Sequence, residues 1–513
     1  MKGYEILYNS LKDAKINFIS GNPGTTEIPM LRSVDNYYLS LHDSIALGMA
    51  DGYSLYNSGA SMVNLHTMPG LGNSMAFLFT AKMNRSPVIV TAGQQDTRHL
   101  VYDPLLSGDT MSMVSDFVKY KYEIKNPEDI PVALKRAREI ALTPQMGPVF
   151  LSFPMDIMDY NGEYYKQQYQ DPNYNISDEE AIKEICDKIN RAKNPAIVFG
   201  YEIDLYNAFK EAGEFAKKLG VKVYSEPLAS RSTYNTEQDN YAGDLLPAST
   251  LMNLNFIEND LIVFIGGDII FYPYLPSKPF AGKDVIFVGT DLSRKTGESY
   301  FMNPKLFLEK AKSLVNKKGN YHKSRDLTFP NKIARERLTM GVNYVLYMAR
   351  KIFKDYTVVD ESISATENVR SIFGYGSKKY FTAKTGQLGW ALPASTGISV
   401  NNRKTLVIIG DGSFMYTVQS LWTMKKYNLP VKILVLNNGG YNILKSFADS
   451  YYPEMQNRDY LTLNLNIESI SKGFNIDTMV ASNDLGELEW LREGDGPKVL
   501  VVNTDKNIEK MFL

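Results

Sequence analysis

The chain has 513 residues, of which 44% are hydrophobic and 22% are charged, and its formal net charge is -1. This near-neutral balance excludes the clustered basic excess of a nucleic-acid-binding protein, and the length suffices for about three domains of ordinary size. A single cysteine excludes an internal disulfide, and four histidines leave little from which to build a His/Cys metal centre.

The N-terminal segment and the hydropathy bear on location. The segment MKGYEILYNSLKDAKINFIS is typical of an amphipathic helix followed by a strand, and it lacks the continuous apolar core of a signal peptide. No stretch approaches the roughly 18 apolar residues of a membrane span. We therefore expect a soluble cytoplasmic protein with neither membrane nor nucleic-acid partners. Cys186 lies on the apolar stripe of a probable helix and is predicted to be a buried small hydrophobe.

Short apolar runs alternate with helical patterns along the chain, as in parallel sheets with helices on their faces. The strand candidates in chain order are NFIS, SMVNLH, VIVTA, PVFLSF, PAIVFG, KVYSE, DLIVFIG, KDVIFVG, TVVDE, TLVIIGDG, VKILVLNN and KVLVVN. Two polar stretches divide them, and Ser177 with Glu180 is placed as a capping box after the first stretch. We predict three successive α/β domains with mainly parallel sheets, over residues 1–160, 177–315 and 338–513.

The strongest local pattern is GDGSFMYTVQSLWTMKKYNLPVKILVLNNGGYN in the last third. Asp411 and Asn438 each follow a buried strand of one βαβ unit, at the carboxyl ends where open α/β sheets bind ligands. Magnesium prefers oxygen ligands and takes only a few from protein. The carboxylate of Asp411, the amide oxygen of Asn438 and the backbone carbonyl of Gly440 are therefore the predicted ligands. The alternative, two unrelated turns, does not account for the pairing.

The same motif predicts a phosphate site. Gly410 and Gly412 allow the backbone to pass close to a phosphate group, and Ser413 opens a helix whose N-terminus favours an anion. Gly-Asp-Gly followed by Asn-Asn at this distance resembles the signature of thiamine-diphosphate enzymes.

Further segments, in the same order, resemble those of the benzoylformate decarboxylase family: GNPGTTEIPM, NLHTMPGLGNSM, SPVIVTAGQQDTR, NPAIVFG, DESISATENV and GQLGWALPASTG. The resemblance spans nearly the whole chain, although acetolactate synthases share the same framework. It implies the pyruvate decarboxylase-like architecture, with a pyrimidine-binding, a middle and a diphosphate-binding domain. It also implies thiamine diphosphate and Mg²⁺ as cofactors. Because the family binds the cofactor between two subunits, it implies a homodimer at least and commonly a homotetramer.

The resemblance assigns catalytic roles to three residues of the first third. Asp43, in LHDSIALGMADGY, stands where the family has a glutamate against the pyrimidine ring, so its side chain is one methylene shorter. It could instead be an ordinary helix-start residue. His66 matches a histidine that faces the substrate, with a structural histidine as the alternative. Thr25 matches a substrate-binding serine.

The resemblance also assigns cofactor contacts in the last third. Leu388 matches the bulky residue that holds the cofactor in its V shape, although an ordinary core leucine is the alternative. The carbonyl of Gly386 matches the acceptor of the 4'-amino group. Ser362 and Ile363 lie where the family approaches the diphosphate or the ring, and Tyr441 is assigned to cofactor binding.

The substrate pocket departs from the family pattern. The second catalytic histidine is missing, and its region reads GGDIIFYPYLP, where Tyr272 or Tyr274 could take its place. Ile443 stands where the family has a small residue, while Phe447 is retained. A larger side chain at position 443 predicts a narrower pocket, so a smaller 2-oxo acid such as pyruvate is as good a candidate as benzoylformate.

The resemblance thus implies non-oxidative decarboxylation of a small-molecule 2-oxo acid, and the missing histidine raises the hypothesis that carboligation is favoured. One alternative is acetolactate synthase, which joins two pyruvates and usually carries FAD in its middle domain. The alternative of another class is a non-catalytic thiamine-diphosphate-binding homologue, which only Asp43 and the missing histidine support.

Overall fold

A computed structural model describes residues 1–273, 277–291, 296–322, 329–374, 376–455 and 458–506. This part of the chain contains three sheets of six parallel strands each, which confirms the predicted α/β fold class. Among the described residues, no helix combines the length and the apolar composition that a membrane span needs.

The strands of the first sheet are β1 (Ile19–Gly21), β2 (Tyr37–Leu39), β3 (Ser61–Leu65), β4 (Val88–Gln94), β5 (Lys121–Glu123) and β6 (Val149–Pro154). The helices around it are α1 (Gly3–Asp13), α2 (Ile28–Leu31), α3 (Asp43–Asn57), α4 (Thr67–Asn84), α5 (Thr110–Met113) and α6 (Asp129–Leu142). The strand order is β2-β1-β3-β4-β6-β5. The central strands β3 and β4 are buried along their whole length because helices cover both faces of a parallel sheet.

The strands of the second sheet are β7 (Pro195–Phe199), β8 (Val223–Ser225), β9 (Tyr241–Asp244), β10 (Leu261–Ile265), β11 (Asp284–Gly289) and β12 (Glu298–Phe301). Its helices are α7 (Glu179–Arg191), α8 (Glu202–Leu205), α9 (Phe209–Leu219), α10 (Ser249–Asn255) and α11 (Pro304–Leu314). The strand order is β12-β11-β10-β7-β8-β9, so the direction of winding reverses between β7 and β10.

Two local predictions fall on α7. The predicted capping box of Ser177 and Glu180 is wrong, because Asp178 is the N-cap and its carboxylate accepts from the backbone N–H groups of Glu180 and Ala181. An ionised carboxylate is a stronger acceptor at a helix N-terminus than a serine hydroxyl. Cys186 is buried in the hydrophobic core as predicted, and burial raises the pKa of its thiol to about 12.

The strands of the third sheet are β13 (Thr357–Glu361), β14 (Tyr380–Thr382), β15 (Thr405–Gly410), β16 (Val431–Asn437), β17 (Asp477–Val480) and β18 (Lys498–Asn503). The helices of this part are α12 (Phe329–Thr339), α13 (Val342–Phe353), α14 (Thr366–Phe373), α15 (Ala391–Ser399), α16 (Asp411–Tyr416), α17 (Ser420–Lys426), α18 (Asn442–Tyr451), α19 (Ile467–Gly473) and α20 (Glu487–Arg492). The strand order is β14-β13-β15-β16-β18-β17.

The chain forms two compact units. The first comprises Met1–Pro172, Val359–Ser364 and Ala383–Leu513, and the second comprises Asn173–Val358 and Ala365–Thr382. The first unit therefore holds most of the first and third predicted domains, and the second unit holds the middle sheet. The predicted boundaries of the three domains stay a prediction.

In the first unit, α3 packs directly against α15 through glycines. A Cβ atom at Gly52 would lie 2.2 Å from the carbonyl oxygen of Ala394, and one at Gly397 would lie 1.9 Å from that of Met49. The two helices thus touch backbone to backbone and leave no room for a methyl group. Since α3 begins at Asp43 and α15 begins shortly after Leu388, this contact fixes two candidate functional segments in one rigid body.

We predict that Gly52→Ala lowers the free energy of unfolding by about 1–3 kcal/mol, because the added methyl group forces the helices apart. Urea denaturation measures the effect. Gly213→Ala is the matched control, since Gly213 lies within α9 and an added Cβ meets nothing within 4 Å. There the better helix propensity of alanine should raise stability by up to about 1 kcal/mol. Equal effects of the two substitutions would contradict the rigid contact.

Candidate active site

The first group of candidate residues, the N-terminal cluster, consists of Glu27, Asp43, His66 and the groups bound to them. Strands β1 and β3 are neighbours in the sheet, with Gly21 opposite Asn64, so the residues that follow them meet at one edge. Asp43 begins α3 and is only 4% exposed. Its Oδ1 accepts from the backbone N–H of His66 at 3.2 Å and its Oδ2 from the amide of Asn22 at 3.4 Å. Asp43 and His66 thus lie side by side, and their catalytic roles stay a prediction.

Glu27 is the residue of this cluster that the sequence did not reveal. It is fully buried, and its Oε2 lies 2.8 Å from Nδ1 of His66. The carboxylate also accepts from the Thr26 hydroxyl at 2.7 Å. Three backbone N–H groups complete its partners, from Gly24 at 2.9 Å and from Thr67 and Gly93 at 3.1 Å each. Its signal in the sequence was an acidic residue between a glycine turn and an apolar run in GNPGTTEIPM.

The pairing of Glu27 with His66 decides what the imidazole can do. Because a carboxylate only accepts, Nδ1 carries a proton, and Nε2 is the ring atom left to exchange a proton with a bound molecule. The side chain of His66 is 24% exposed, so a ligand can reach it. This arrangement can act as a general acid or base.

Thr25 and Thr26 differ in their surroundings. Thr25 is exposed, whereas Thr26 is buried and its hydroxyl also lies 3.5 Å from Nδ1 of His66. The substrate-binding role of Thr25 stays a prediction.

The second group lines one cleft at the carboxyl edge of the third sheet, the C-terminal cleft. Its described lining residues are Glu361, Ser362, Ile363, Ser364, Leu388, Gly410, Asp411, Gly412, Ser413, Asn438, Gly440, Tyr441, Asn442 and Ile443. Most of the residues predicted from the last third thus lie around one cavity. Glu361, Ser364 and Asn442 were missed.

Two predicted residues of the last third, Gly386 and Phe447, are not among the described lining residues of the cleft. Gly386, with φ +70°, faces open space in the loop before α15 and does not line the cleft. Phe447 lies one turn beyond Ile443 on α18, with its ring centroid 4.8 Å from that of Tyr451. Tyr274 falls outside the described residues, and the neighbouring Tyr272 is 52% exposed in the second compact unit.

The predicted metal ligands lie on adjacent strand ends, since β15 pairs with β16. Asp411 is 2% exposed, and burial raises the pKa of its carboxyl group. Its Oδ2 accepts from the backbone N–H of Gly439 at 3.1 Å, and Oδ1 of Asn438 accepts from that of Gly440 at 3.2 Å. A bound cation would offset the burial of Asp411, and the mixed oxygen donors suit Mg²⁺. The residues present therefore fit the metal.

Gly410 and Gly412 of the motif have different surroundings. A Cβ atom at Gly410 would meet nothing within 4 Å, so the space that a phosphate group needs is open there. A Cβ atom at Gly412 would lie 2.7 Å from the ring of Tyr441. Gly412 thus makes room for the Tyr441 ring, which the sequence pattern did not indicate.

Glu361 is a second buried glutamate that the sequence did not reveal. It ends β13, and burial raises the pKa of its carboxyl group, whereas hydrogen bonds from the backbone of Ala391 and Gly389 and from the side chain of Ser413 favour the ionised form. The backbone N–H groups of Gly389 and Ala391 donate to its two oxygens. Its signal was an acidic residue at the end of an apolar strand in TVVDESIS.

None of the described residues that line the C-terminal cleft belongs to the N-terminal cluster. The structure thus gathers the predicted residues into two separate groups, one at the edge of the first sheet and one at the edge of the third.

Comparisons with known proteins agree with this arrangement. Three family models match the chain: the N-terminal TPP binding domain of thiamine pyrophosphate enzymes over residues 1–115, their central domain over 182–310 and their C-terminal TPP binding domain over 369–502. The benzoylformate decarboxylase of Pseudomonas aeruginosa is 28% identical over 97% of this chain and 98% of its own. The acetolactate synthase large subunit of Buchnera aphidicola is 26% identical over 90% of this chain and 86% of its own.

A solved structure shares the fold. The crystal structure of benzoylformate decarboxylase from Polynucleobacter necessarius superposes with a TM-score of 0.92 at 29% identity, and covers 99% of this chain and 100% of its own.

We predict that Glu27→Ala lowers the free energy of unfolding by about 3 kcal/mol, because it leaves several buried donors unpaired. Urea denaturation is the measurement, and Glu489→Ala on the exposed face of α20 is the control, expected to change stability by less than about 0.5 kcal/mol. A Glu27→Ala protein as stable as the control variant would show that the hydrogen bonds to Glu27 do not hold the cluster together.

Proposed function

This chain belongs to the family of thiamine-diphosphate-dependent decarboxylases and acetolactate synthases, and on that premise we propose that it decarboxylates a small 2-oxo acid with thiamine diphosphate and Mg²⁺. The observation that carries the proposal is the His66–Glu27 pair beside Asp43. A protein that only bound the cofactor would have no use for a partly exposed histidine held by a buried glutamate. The pair therefore favours an enzyme over a non-catalytic homologue.

The residues of the C-terminal cleft would hold the cofactor. Asp411, Asn438 and the carbonyl of Gly440 would bind Mg²⁺. The diphosphate and ring contacts would come from Gly410, Gly412, Ser413, Tyr441, Ser362, Ile363 and Leu388. Gly386 lies two residues before Leu388, outside the described lining of the cleft, and would contribute its carbonyl. When bound, thiamine diphosphate supplies the nucleophilic carbon and accepts the electrons that are released as carbon dioxide leaves.

The N-terminal cluster would manage protons. Asp43 would hold the nitrogen of the pyrimidine ring, and its two donors keep the short carboxylate in place. His66 would pass a proton at Nε2 to or from the substrate, with Glu27 stabilising the charged imidazolium. Thr25 would contact the substrate carboxylate through its hydroxyl.

The first experiment saturates the protein with thiamine diphosphate and Mg²⁺ and measures carbon dioxide release from pyruvate, phenylpyruvate and benzoylformate. We expect release from at least one of them, because Asp43 lies beside the His66–Glu27 pair and the proposed metal ligands lie on adjacent strand ends. If the cofactor is bound and none of the three acids releases carbon dioxide, the non-catalytic homologue is favoured. Asp43→Glu would then be assayed. Product analysis that finds only aldehyde would refute the carboligation hypothesis.

Ile443 should set the size of the substrate. We predict that Ile443→Ala raises the ratio of kcat/KM for benzoylformate to that for pyruvate by about tenfold or more, because the removed atoms leave room for a ring. Leu444→Ala is the matched control, since Leu444 is the next residue of α18, is 48% exposed and is not among the described lining residues. A ratio that does not change in Ile443→Ala would show that the residue does not limit the pocket.

The separation of the two groups supports a homodimer in which one subunit supplies the N-terminal cluster and the other the C-terminal cleft, and a homotetramer would be two such dimers. Two inactive variants, Asp43→Ala and Asp411→Ala, test this when coexpressed with different tags. A mixed dimer would carry one intact site, so we predict that random mixing restores about a quarter of the wild-type activity. Sites built within one chain would give no restoration.

Acetolactate synthase is the second candidate, because one of the matched relatives carries that name. The second compact unit bears on the FAD expected with it. In open α/β sheets ligands bind where the winding reverses, here between β7 and β10. A Cβ atom at Gly200 would lie 2.0 Å from the Cα of Gly267, so the backbones at this point touch.

Carboxylates occupy the same edge. Glu202 accepts from the backbone N–H of Thr290 at 3.0 Å, and Glu226 accepts from that of Tyr201 at 3.2 Å. The phosphates of a dinucleotide would need these same backbone N–H groups as donors. The negative charges of Glu202 and Glu226 would also repel the phosphates. The closed edge favours decarboxylation without a flavin over a flavin-carrying synthase.

A further inference from the structure

Glu361 has no role in the proposed function. Glu361 is 1% exposed and ends β13 beside Ser362, at the floor of the C-terminal cleft. The backbone N–H of Gly389 and that of Ala391, the latter at 2.6 Å, donate to different oxygens of its carboxylate. The side chain of Ser413 also forms a hydrogen bond to it. One buried carboxylate thus joins two segments of the cleft: the loop that leads into α15 and the first turn of α16.

The first of these segments, the loop before α15, carries Leu388. The next residue, Gly389, is held on both sides, because its N–H donates to Glu361 and its carbonyl accepts from the Thr417 hydroxyl at 2.6 Å. Gly389 has φ +90°, and a Cβ atom there would lie 2.6 Å from that of Tyr416. The place of Leu388 in the cleft therefore depends on bonds made by its neighbour.

The Leu388 loop is also bonded to α3, through the residue that follows Gly389. The indole N–H of Trp390 donates to Asp51 on α3 at 2.7 Å, and Ala391 begins α15. Three successive residues after Leu388 are thus fixed by side chains from other elements.

The second segment is the first turn of α16. Ser413 stands two residues after Asp411, the predicted metal ligand, and both line the cleft. A group bound by Asp411 at one end and supported by Leu388 at the other would span the two segments that Glu361 connects.

We propose that Glu361 is a positioning residue that fixes the spacing between the Leu388 loop and the first turn of α16, which carries Asp411 and Ser413, and thereby holds the cofactor in its reactive shape. The inference rests on the proposed function, since it requires thiamine diphosphate in the cleft. The competing interpretation is that Glu361 only caps the N-terminus of α15, in which case its loss would lower stability and leave the bound cofactor's reactivity unchanged.

Glu361→Gln is the sharpest variant, because glutamine has the same shape and only one acceptor oxygen. Its NH₂ group would face either the N–H of Gly389 or that of Ala391, donor against donor, so one of the two bonds is lost. The readout is the rate of hydrogen–deuterium exchange at C2 of thiamine diphosphate, measured by NMR after acid quench with the cofactor and Mg²⁺ saturating. This rate requires no 2-oxo acid and is independent of affinity once the site is full.

We expect Glu361→Gln to slow the exchange by about tenfold to a hundredfold, as a misplacement of about 1 Å does for reacting groups. Glu202→Gln is the matched control, a buried glutamate of the other compact unit that accepts from the N–H and the hydroxyl of Thr290. It should lose stability and keep the wild-type exchange rate. Exchange at the wild-type rate in Glu361→Gln with bound cofactor would overturn the inference.

Thr417→Val is the second variant and serves if Glu361→Gln does not fold. It removes the hydroxyl that holds the Gly389 carbonyl, and Thr417 is not among the described lining residues. Slower exchange in this variant supports the inference, and unchanged exchange contradicts it. A wild-type protein that binds no thiamine diphosphate, or exchanges no faster than the free cofactor, would overturn the proposed function and the inference together. Fast exchange in the wild type and in both variants would overturn the inference alone.

Discussion

In each of the three described sheets, a buried glutamate at the carboxyl edge accepts backbone N–H groups from a neighbouring segment. Glu27 binds Gly93 on β4, and Glu202 binds Thr290 after β11. Glu361 binds the N–H groups of Gly389 and Ala391 at the start of α15. A buried carboxylate is costly unless such donors surround it. If the segments at these edges moved away, each glutamate would stay buried without its hydrogen-bond donors, which is energetically costly. The candidate functional groups take their positions from this constraint.

The sequence predicted what side-chain patterns mark and missed what backbone groups provide. The apolar runs indicated three parallel sheets, and Asp411 and Asn438 were expected at one sheet edge because each follows a strand of one βαβ unit. Glu27 and Glu361 could not be found in the same way, because most of their donors are backbone N–H groups, which no residue type in the sequence marks. The capping box failed by a single position, where Asp178 offered the better acceptor.

The short side chain of Asp43 is held in one orientation by its hydrogen-bond partners. An isolated aspartate in place of a glutamate would sample several orientations, but the backbone of His66 and the amide of Asn22 fix both of its oxygens. The same histidine is fixed through its ring by Glu27. The cluster thus holds the short carboxylate of Asp43 in one orientation, on the same scaffold as the His66–Glu27 pair.

The glycine contact between α3 and α15 has a consequence for the ancestry of such chains. Asp43 at the start of α3 and Leu388 just before α15 keep their separation only if neither helix surface acquires a side chain at the contact. Recombination that replaced the first third with that of a relative would have to bring compatible small residues on both helices. The first and last thirds are therefore expected to have been inherited together.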